Sequence, residues 1–351
     1  MESVRRYSGA RLEAFCKAAL EALSVKPGNA AIVANCLVSA NYQGIDTHGV
    51  ARLPTYMRRL AQGAIDPGAT PVKHAGRGAV AIIDGKNALG PVAAQAGMEE
   101  AIKLARLHGV AYVGVRNSNH FSYAAHYCEL AAARGLIGIC SSGGEPTVAP
   151  WGGVHPFFTN SPLALAAPTS AAPVVVDLAT SVSSRGSIML AKLLEQQIPM
   201  GWAQDKAGRP TTDPAAALEG SVLPMGGAKG YALIVALEIL NGVLPDGAMA
   251  PHIGSQAGHD GKPAGVPHFF MAIDPTALMP YDHYIARIDA LIAALKSAPQ
   301  TDPDSPIRLP GERRRRIESD RKANGIPIPP GVLNELKTAA EQYSPSCKEI
   351  L

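Results

Sequence analysis

The strongest constraint in this chain is an alternation. Three apolar runs of strand character, "VAIIDG" (80–85), "VAYVGVRNS" (110–118) and "LIGICSSGG" (136–144), are separated by two helical runs, 90–109 and 122–135, each closed by a glycine. Strands alternating with helices call for a sheet with helices packed on it, so the class is mixed α/β. Further on, "LALAAPT" and "PVVVDLATS" (163–181) read as paired strands around a Pro-rich turn, and "PHFFMAID" (267–274) as a last strand. No GxGxxG follows any of these strands, and no GxxxxGKS/T is present, so an ordinary doubly wound nucleotide fold is not indicated.

The rest of the chain is mainly helical. Leu12, Phe15, Cys16, Ala19, Leu20 and Leu23 recur at helical spacing and predict a helix over 10–24. "PGNAAIVANCLVSANYQ" (27–43) predicts a second helix with Asn29 as its N-cap, and helix resumes over 52–62. "SIMLAKLLEQQ", the run 230–244 and "YDHYIARIDALIAALKSA" are further helices. Residues 297–311 are Pro-rich and read as a linker into a basic helix that begins near "GERRRRIESDRKANG".

A chain of 351 residues exceeds what one compact core usually holds, so two domains are expected. With 47% apolar and 17% charged residues it is globular and soluble, and a net charge of +3 is too small to argue for nucleic acid or an anionic membrane as partner. Cysteines 16, 36, 128, 140 and 347 are odd in number and form no CxxC pair, which suggests reduced thiols in a cytoplasmic protein, without a disulfide framework or zinc site. The opening "MESVRRYSGARLEAF" lacks the apolar core of a signal peptide, and 230–244 is too short to span a bilayer and carries Glu238.

Five stretches could carry chemistry. In "NYQGIDTHGVARLPTY" (41–56), His48 sits in a polar turn and Arg52 follows four residues later, which would place both on one face if helix resumes there. A proton carrier beside a cation able to hold a carboxylate suits a 2-hydroxy or 2-oxo acid; a helix cap with a surface salt bridge is the competing reading. Tyr56 is read as packing. In "RNSNHFSYAAHYCEL" (116–130), the polar RNSNH cluster ends a strand where α/β folds place ligand groups; His120, His126 and Cys128 could suggest a metal, but His126 and Cys128 do not face each other on a helix. Asp177 in "DLATS" ends a strand and could approach a ribose or begin a helix. Lys229–Gly230 in "LPMGGAKGYAL" opens a helix and could favour phosphate or be a solvated turn. "LPGERRRRIESDR" (309–321) is a solvated helix face or a phosphate grip.

Together, "GIDTHGVARLPTY", "RNSNHF", "EPTVAPWGG", "TNSPLALAAP", "VVDLATS", "GWAQDKAGRPTTDPAAAL", "LPMGGAKGYAL", "HFFMAIDP" and "LPGERR" cover nearly the whole chain. In this order they closely resemble the malate/L-lactate dehydrogenase family of NAD(P)-dependent oxidoreductases. That family lacks the Rossmann fold. Ureidoglycolate, sulfolactate and diketogulonate-type enzymes and Δ1-piperideine-2-carboxylate reductases are related members. The resemblance implies a mixed α/β fold with an NAD(P)-binding domain at 76–284. A second, discontinuous domain would join the helical segments 1–75 and 285–351.

The resemblance further implies NADP or NAD as cofactor, a small carboxylate substrate and a homodimer. It places the acid/base on His48 beside Thr47, the carboxylate clamp on Arg52, and a second histidine, catalytic or beside the cofactor, on His120. Cofactor contacts would fall on Thr159, Asn160, Asp177, Leu178, Ala179, Lys229, Gly230, Gly311, Glu312 and Arg313, with no metal. Thr47 stands where the family usually has serine, Ser122–Tyr123 where Gly-Ala is frequent, Gly143–Gly144 where polar residues are common, and "FFTNSP" for a more usual "GTNP". The last three bear on substrate identity more than on reaction type. Two rivals remain at this point. One is a metal-dependent hydrolase using His48, His120 and His126. The other is a ligand-binding family member that has lost catalysis.

Overall fold

The computed structural model describes residues 4–302 and 304–350, with no account of the side chains of 348–350. Residues 1–3, 303 and 351, which fall in the opening stretch, the Pro-rich connector and the second domain's last residue, lie outside the described residues. The chain runs β1 (Arg5–Tyr7), α1 (Gly9–Glu21), α2 (Pro27–Tyr42), two 3-10 turns (Asp46–His48 and Val50–Arg52) and α3 (Leu53–Ala61). It continues through β2 (Val72–Arg77), β3 (Val80–Asp84), α4 (Gly90–His108), β4 (Val110–Ser118), α5 (Ala125–Ala132), β5 (Ile137–Ser142), β6 (Leu163–Ala167) and β7 (Val174–Leu178). Next come α6 (Arg185–Leu193), β8 (Ala203–Gln204), β9 (Pro210–Thr211), α7 (Pro214–Glu219), β10 (Ser221–Val222), α8 (Ala228–Glu238) and β11 (Val266–Ile273). The chain closes with α9 (Tyr281–Ser297), α10 (Glu312–Asn324), β12 (Ile326–Ile328) and α11 (Pro330–Tyr343).

Seven strands form the main sheet in the order β2-β3-β4-β11-β5-β6-β7. Only β3 and β4 are parallel; every other neighbour is antiparallel. A sheet of this kind has no run of parallel crossovers to build a Gly-rich dinucleotide turn, which agrees with the missing fingerprint. β8, β9 and β10 make a small second sheet, and β1 pairs with β12.

Two apolar cores flank α2. The first gathers Leu12, Phe15, Leu37, Met57, Ile326 and Leu336, so both chain ends contribute to it. The second lies on the sheet and includes Met98, Val113, Val115, Tyr127 and Phe270. Leu37 faces the first core while Cys36 and Ala40 face the second, so α2 is apolar on nearly all sides and stands between them. Each buried Leu or Phe here stabilises the fold by roughly 1.5–3 kcal/mol.

Local chemistry sets the ends. Ser8 caps α1 by accepting from Arg11 N, and Gly109 closes α4 at φ 85°. Four sequence expectations are corrected. Lys26, with Pro27 in the first turn, is the residue before α2, and Asn29 instead donates to the Ala69 carbonyl. The helix placed at 122–135 begins only at Ala125, because Ser122 takes φ 70°. The run 230–244 is α8 followed by a wider turn at Ile239–Val243. Finally, β1, β2, β12, α11 and the small sheet have no counterpart in the sequence reading.

Candidate active site

The turn "DTHGVAR" is not a resumed helix. It is two separate 3-10 turns broken at Gly49, so His48 and Arg52 do not share a helical face as expected. They are brought together differently. Arg52 Nε donates to the Thr47 carbonyl at 2.8 Å, and Thr47 Oγ1 lies 2.9 Å from His48 Nδ1. The turn is braced from outside: Asn41 Oδ1 accepts from Val50 N, and Arg321 from α10 donates to both oxygens of Asp46.

His120, just past the end of β4, meets this turn. Its ring stacks on His48 with centroids 5.6 Å apart, and Gly90 lets the start of α4 lie against the His120 backbone, since a Cβ there would come within 2.1 Å of the His120 carbonyl oxygen. Tyr56 Oη lies 2.8 Å from His120 Nδ1, and Ser122 N–H points at the same nitrogen at 3.4 Å. A backbone N–H can only donate, so Nδ1 is the bare nitrogen and the ring proton sits on Nε2. Sequence analysis had given Tyr56 only a packing role; it orients His120.

Both imidazoles are held neutral. Burial pushes His48 down to about 4, with the charges of Arg52 and Arg314 adding to it. Burial takes His120 well below the usual histidine range, helped by Arg52, His48 and His268. His268 itself is pushed down to about 3 by burial and bridges Ser142 and Ser118, each at 2.9 Å.

Thr47, His48, Arg52 and His120 line one cavity of about 450 Å³, a size suited to a small-molecule site. Thr159, Asn160, Asp177, Leu178 and Ala179 line the same cavity. The β7 end is fastened to that segment, because Thr180 Oγ1 donates to the Asn160 carbonyl at 2.7 Å. Asp177 accepts from Arg314 at 3.0 Å, and burial raises its carboxyl, with Arg314 opposing.

Not every expected residue reaches the cavity. Gly311 precedes α10 and packs on Val175; Glu312 pairs with Lys296; Arg313 is exposed. Arg314, the next residue, is the one on the wall. Lys229 is exposed at the start of α8, and Gly230 lets that first turn close on the Met225 carbonyl, 2.0 Å from where a Cβ would stand; neither lines the cavity. His126 is buried against Tyr123 and Tyr127 away from the cavity, so the three-histidine set of the hydrolase reading is not assembled. Sequence reasoning missed Glu145, Ser184, Arg185 and Gln256, all on the wall. Only the serine and arginine at the start of α6 had a visible signal, a polar cluster before a helix.

The family model for malate/L-lactate dehydrogenase matches residues 7–337. The chain belongs to this family. It is 36% identical over 333 residues to the (2R)-3-sulfolactate dehydrogenase (NADP(+)) of Chromohalobacter salexigens, covering 93% of this chain and 96% of that one. It is 32% identical over 347 residues to the Δ1-pyrroline-2-carboxylate reductase of Ancylobacter novellus, covering 98% and 100%. The solved structure of sulfolactate dehydrogenase from Methanocaldococcus jannaschii superimposes with a TM-score of 0.91 at 33% identity, covering 97% of both chains. The likeness to that sulfolactate dehydrogenase thus extends to the fold as well as the sequence.

Proposed function

We propose that this protein is an NAD(P)H-dependent dehydrogenase or reductase acting on a small 2-oxo or 2-hydroxy acid or a cyclic imino acid. The observation that carries the reading is one cavity wall holding the stacked His48–His120 pair, the Arg52 guanidinium and the β7 end together. The names of the relatives point the same way.

The wall fits a nicotinamide dinucleotide. Leu178, Ala179 and Pro162 offer an apolar surface for a ring, and Ser184–Gly186 with Arg185 offers helix-end N–H groups and a cation for phosphate. When bound, that cofactor supplies the hydride. Arg52 holds the substrate carboxylate through its terminal nitrogens, since only its Nε is committed, to Thr47. His120 donates from Nε2 to the oxygen at the reacting carbon of a 2-oxo acid. His48 supplies or takes the proton. A carboxylate seated on Arg52 cancels a charge that lowers both imidazoles, so substrate binding raises their proton affinity.

The two-domain division and a homodimer belong to the same proposal. The first core, built from both chain ends, supports a discontinuous helical domain, with Ala88, Leu89 and Val92 of the middle segment also packed into it. Met189, Leu190 and Leu193 of α6 and Leu194 just after it stand exposed, and α9 buries none of its residues, which supports a second copy covering these faces. No helix among the described residues is long and apolar enough to cross a membrane, and a cytoplasmic location remains part of this proposal.

Nicotinamide fluorescence during titration with NADH and NADPH tests the cofactor, followed by turnover on pyruvate, oxaloacetate, sulfopyruvate and Δ1-piperideine-2-carboxylate. His48→Gln is expected to abolish turnover and spare cofactor binding; full activity in that variant would remove His48 from the chemistry.

A further inference from the structure

Five charged side chains line the cavity: Arg52, Glu145, Asp177, Arg185 and Arg314. Asp177 and Arg314 neutralise each other as an ion pair at 3.0 Å. Arg185 donates to the Leu218 carbonyl, which leaves its charge in place, and it stands at the start of α6, where the reading above puts the cofactor phosphate. Arg52 and Glu145 are left over. Neither joins an ion pair among the described residues, and the Glu145 carboxylate accepts only from Ser255 Oγ, at 3.2 Å.

The backbone before Glu145 is set against the wall. A Cβ on Gly144 would lie 2.8 Å from Thr159 Oγ1 and 2.9 Å from Gln256 Nε2, so this position can hold no side chain without displacing one of them. Glycine there leaves Glu145 as the first side chain after Ser142 to enter the cavity. The result is a cleft with an uncommitted cation and an uncommitted anion.

We propose, resting on the oxidoreductase reading above, that Glu145 is the specificity-determining side chain of this cleft. It selects a substrate whose carboxylate meets Arg52 and whose remaining part carries a cationic or N–H donor group, and it rejects a substrate with a second anion. A protonated cyclic imino acid satisfies both charges. Reducing its C=N bond takes one hydride at carbon and no further proton, and leaves the secondary amine. Reducing a ketone takes the hydride at carbon and also a proton at oxygen. Because His48 and His120 are both held neutral, a substrate that arrives with its own proton asks least of them. Oxaloacetate and sulfopyruvate instead bring a second negative charge into a cavity that already holds an unpaired carboxylate.

The test is steady-state kcat/KM for the wild type, Glu145→Gln and Arg52→Met on Δ1-piperideine-2-carboxylate, pyruvate, oxaloacetate and sulfopyruvate, with cofactor dissociation constants measured alongside. The wild type should prefer the imino acid over both dianions by about a hundredfold, with pyruvate between them. Glu145→Gln should shrink that ratio about tenfold, lowering the imino acid rate and raising the dianion rates, with cofactor affinity unchanged. Arg52→Met should lower all four. A wild type that favours a dianion, or a Glu145→Gln variant that keeps the ratio or shifts only cofactor affinity, overturns the role of Glu145 and leaves the oxidoreductase reading intact. Absence of turnover on all four substrates overturns both.

Discussion

The phenol of Tyr56 lies 2.8 Å from His120 Nδ1 and donates to the His120 carbonyl at 3.1 Å, so one hydroxyl fixes the ring's rotation. Tyr56→Phe keeps the packed ring and removes only that constraint. Its kcat is expected to fall roughly ten- to a hundredfold, or about 1.4–2.7 kcal/mol of barrier, while thermal stability changes little. An unchanged kcat would reduce Tyr56 to packing. The depressed imidazoles make a second prediction. Since kcat/KM reports the free enzyme, its pH profile should show no inflection near 6.5, the ordinary histidine value; kcat, which reports the bound state, should show a higher pKa than the free cleft has. An inflection near 6.5 in kcat/KM would mean that the free histidines are not held neutral. The sequence revealed His48 and Arg52 because a polar turn after an apolar helix stands out locally. It could not reveal the Tyr56–His120 contact, which joins residues 64 positions apart. It also stopped one residue short of Arg314, because the rotational phase of α10 depends on how that helix docks on β7.

At the scale of elements, α3 does more than follow the His48–Arg52 turn. Its Arg59 is fully buried, and the guanidinium donates to the carbonyls of Ser255 and Lys262; neighbouring Arg58 holds the Ala257 carbonyl. These bonds fix the Gly-rich loop that brings Gln256 and Ala257 to the cavity wall. Arg59→Met should expose this loop to limited proteolysis and destabilise the protein by about 1–3 kcal/mol, the cost of leaving a buried acceptor unsatisfied. Arg59→Lys should not rescue it, since one ammonium cannot reproduce the fork; full protection of the loop in either variant would contradict this role. Sequence patterns located the long elements well, because β4, β5, β11 and α4 bury regular faces. β2 escaped because all six of its residues are exposed and it carries no apolar alternation. The two-residue strands of the small sheet are too short for any period to show.

For the whole molecule, proton uptake couples the site to stability. His126 and His268 are buried and His48 and His120 half-buried, all four with lowered proton affinity. Below about 6.5 the unfolded chain takes up protons at these positions that the folded chain refuses, so stability falls as pH drops from there toward about 4. Glu129 acts in the opposite sense: burial raises it to about 7, so the folded chain keeps a proton there that the unfolded chain has lost. Four histidines outweigh this carboxyl and the raised Asp177 and Glu238. Urea unfolding at pH 5 should therefore show a stability lower than at pH 7 by on the order of 2 kcal/mol. Equal stability at the two values would mean that the imidazoles are not held neutral. The mixed α/β class followed directly from the alternation of strands and helices, whereas the order of strands did not, because β11 enters the sheet between β4 and β5 from far along the chain.

The pairing of β1 with β12, register Arg5 with Ile328 through Tyr7 with Ile326, gives the protein a schedule as well as a shape. During synthesis, α1 and α2 emerge long before Ile326, Ile328 and Leu336 exist to cover them, and Arg321 is not yet present to hold Asp46. At roughly 5–20 residues per second, the early helices wait on the order of half a minute with an apolar face open to water. A ribosome-stalled chain lacking the last thirty or so residues would present a finished sheet beside an unbraced His48 turn. Such a nascent chain exposes apolar surface of the kind chaperones bind until its tail closes over its beginning.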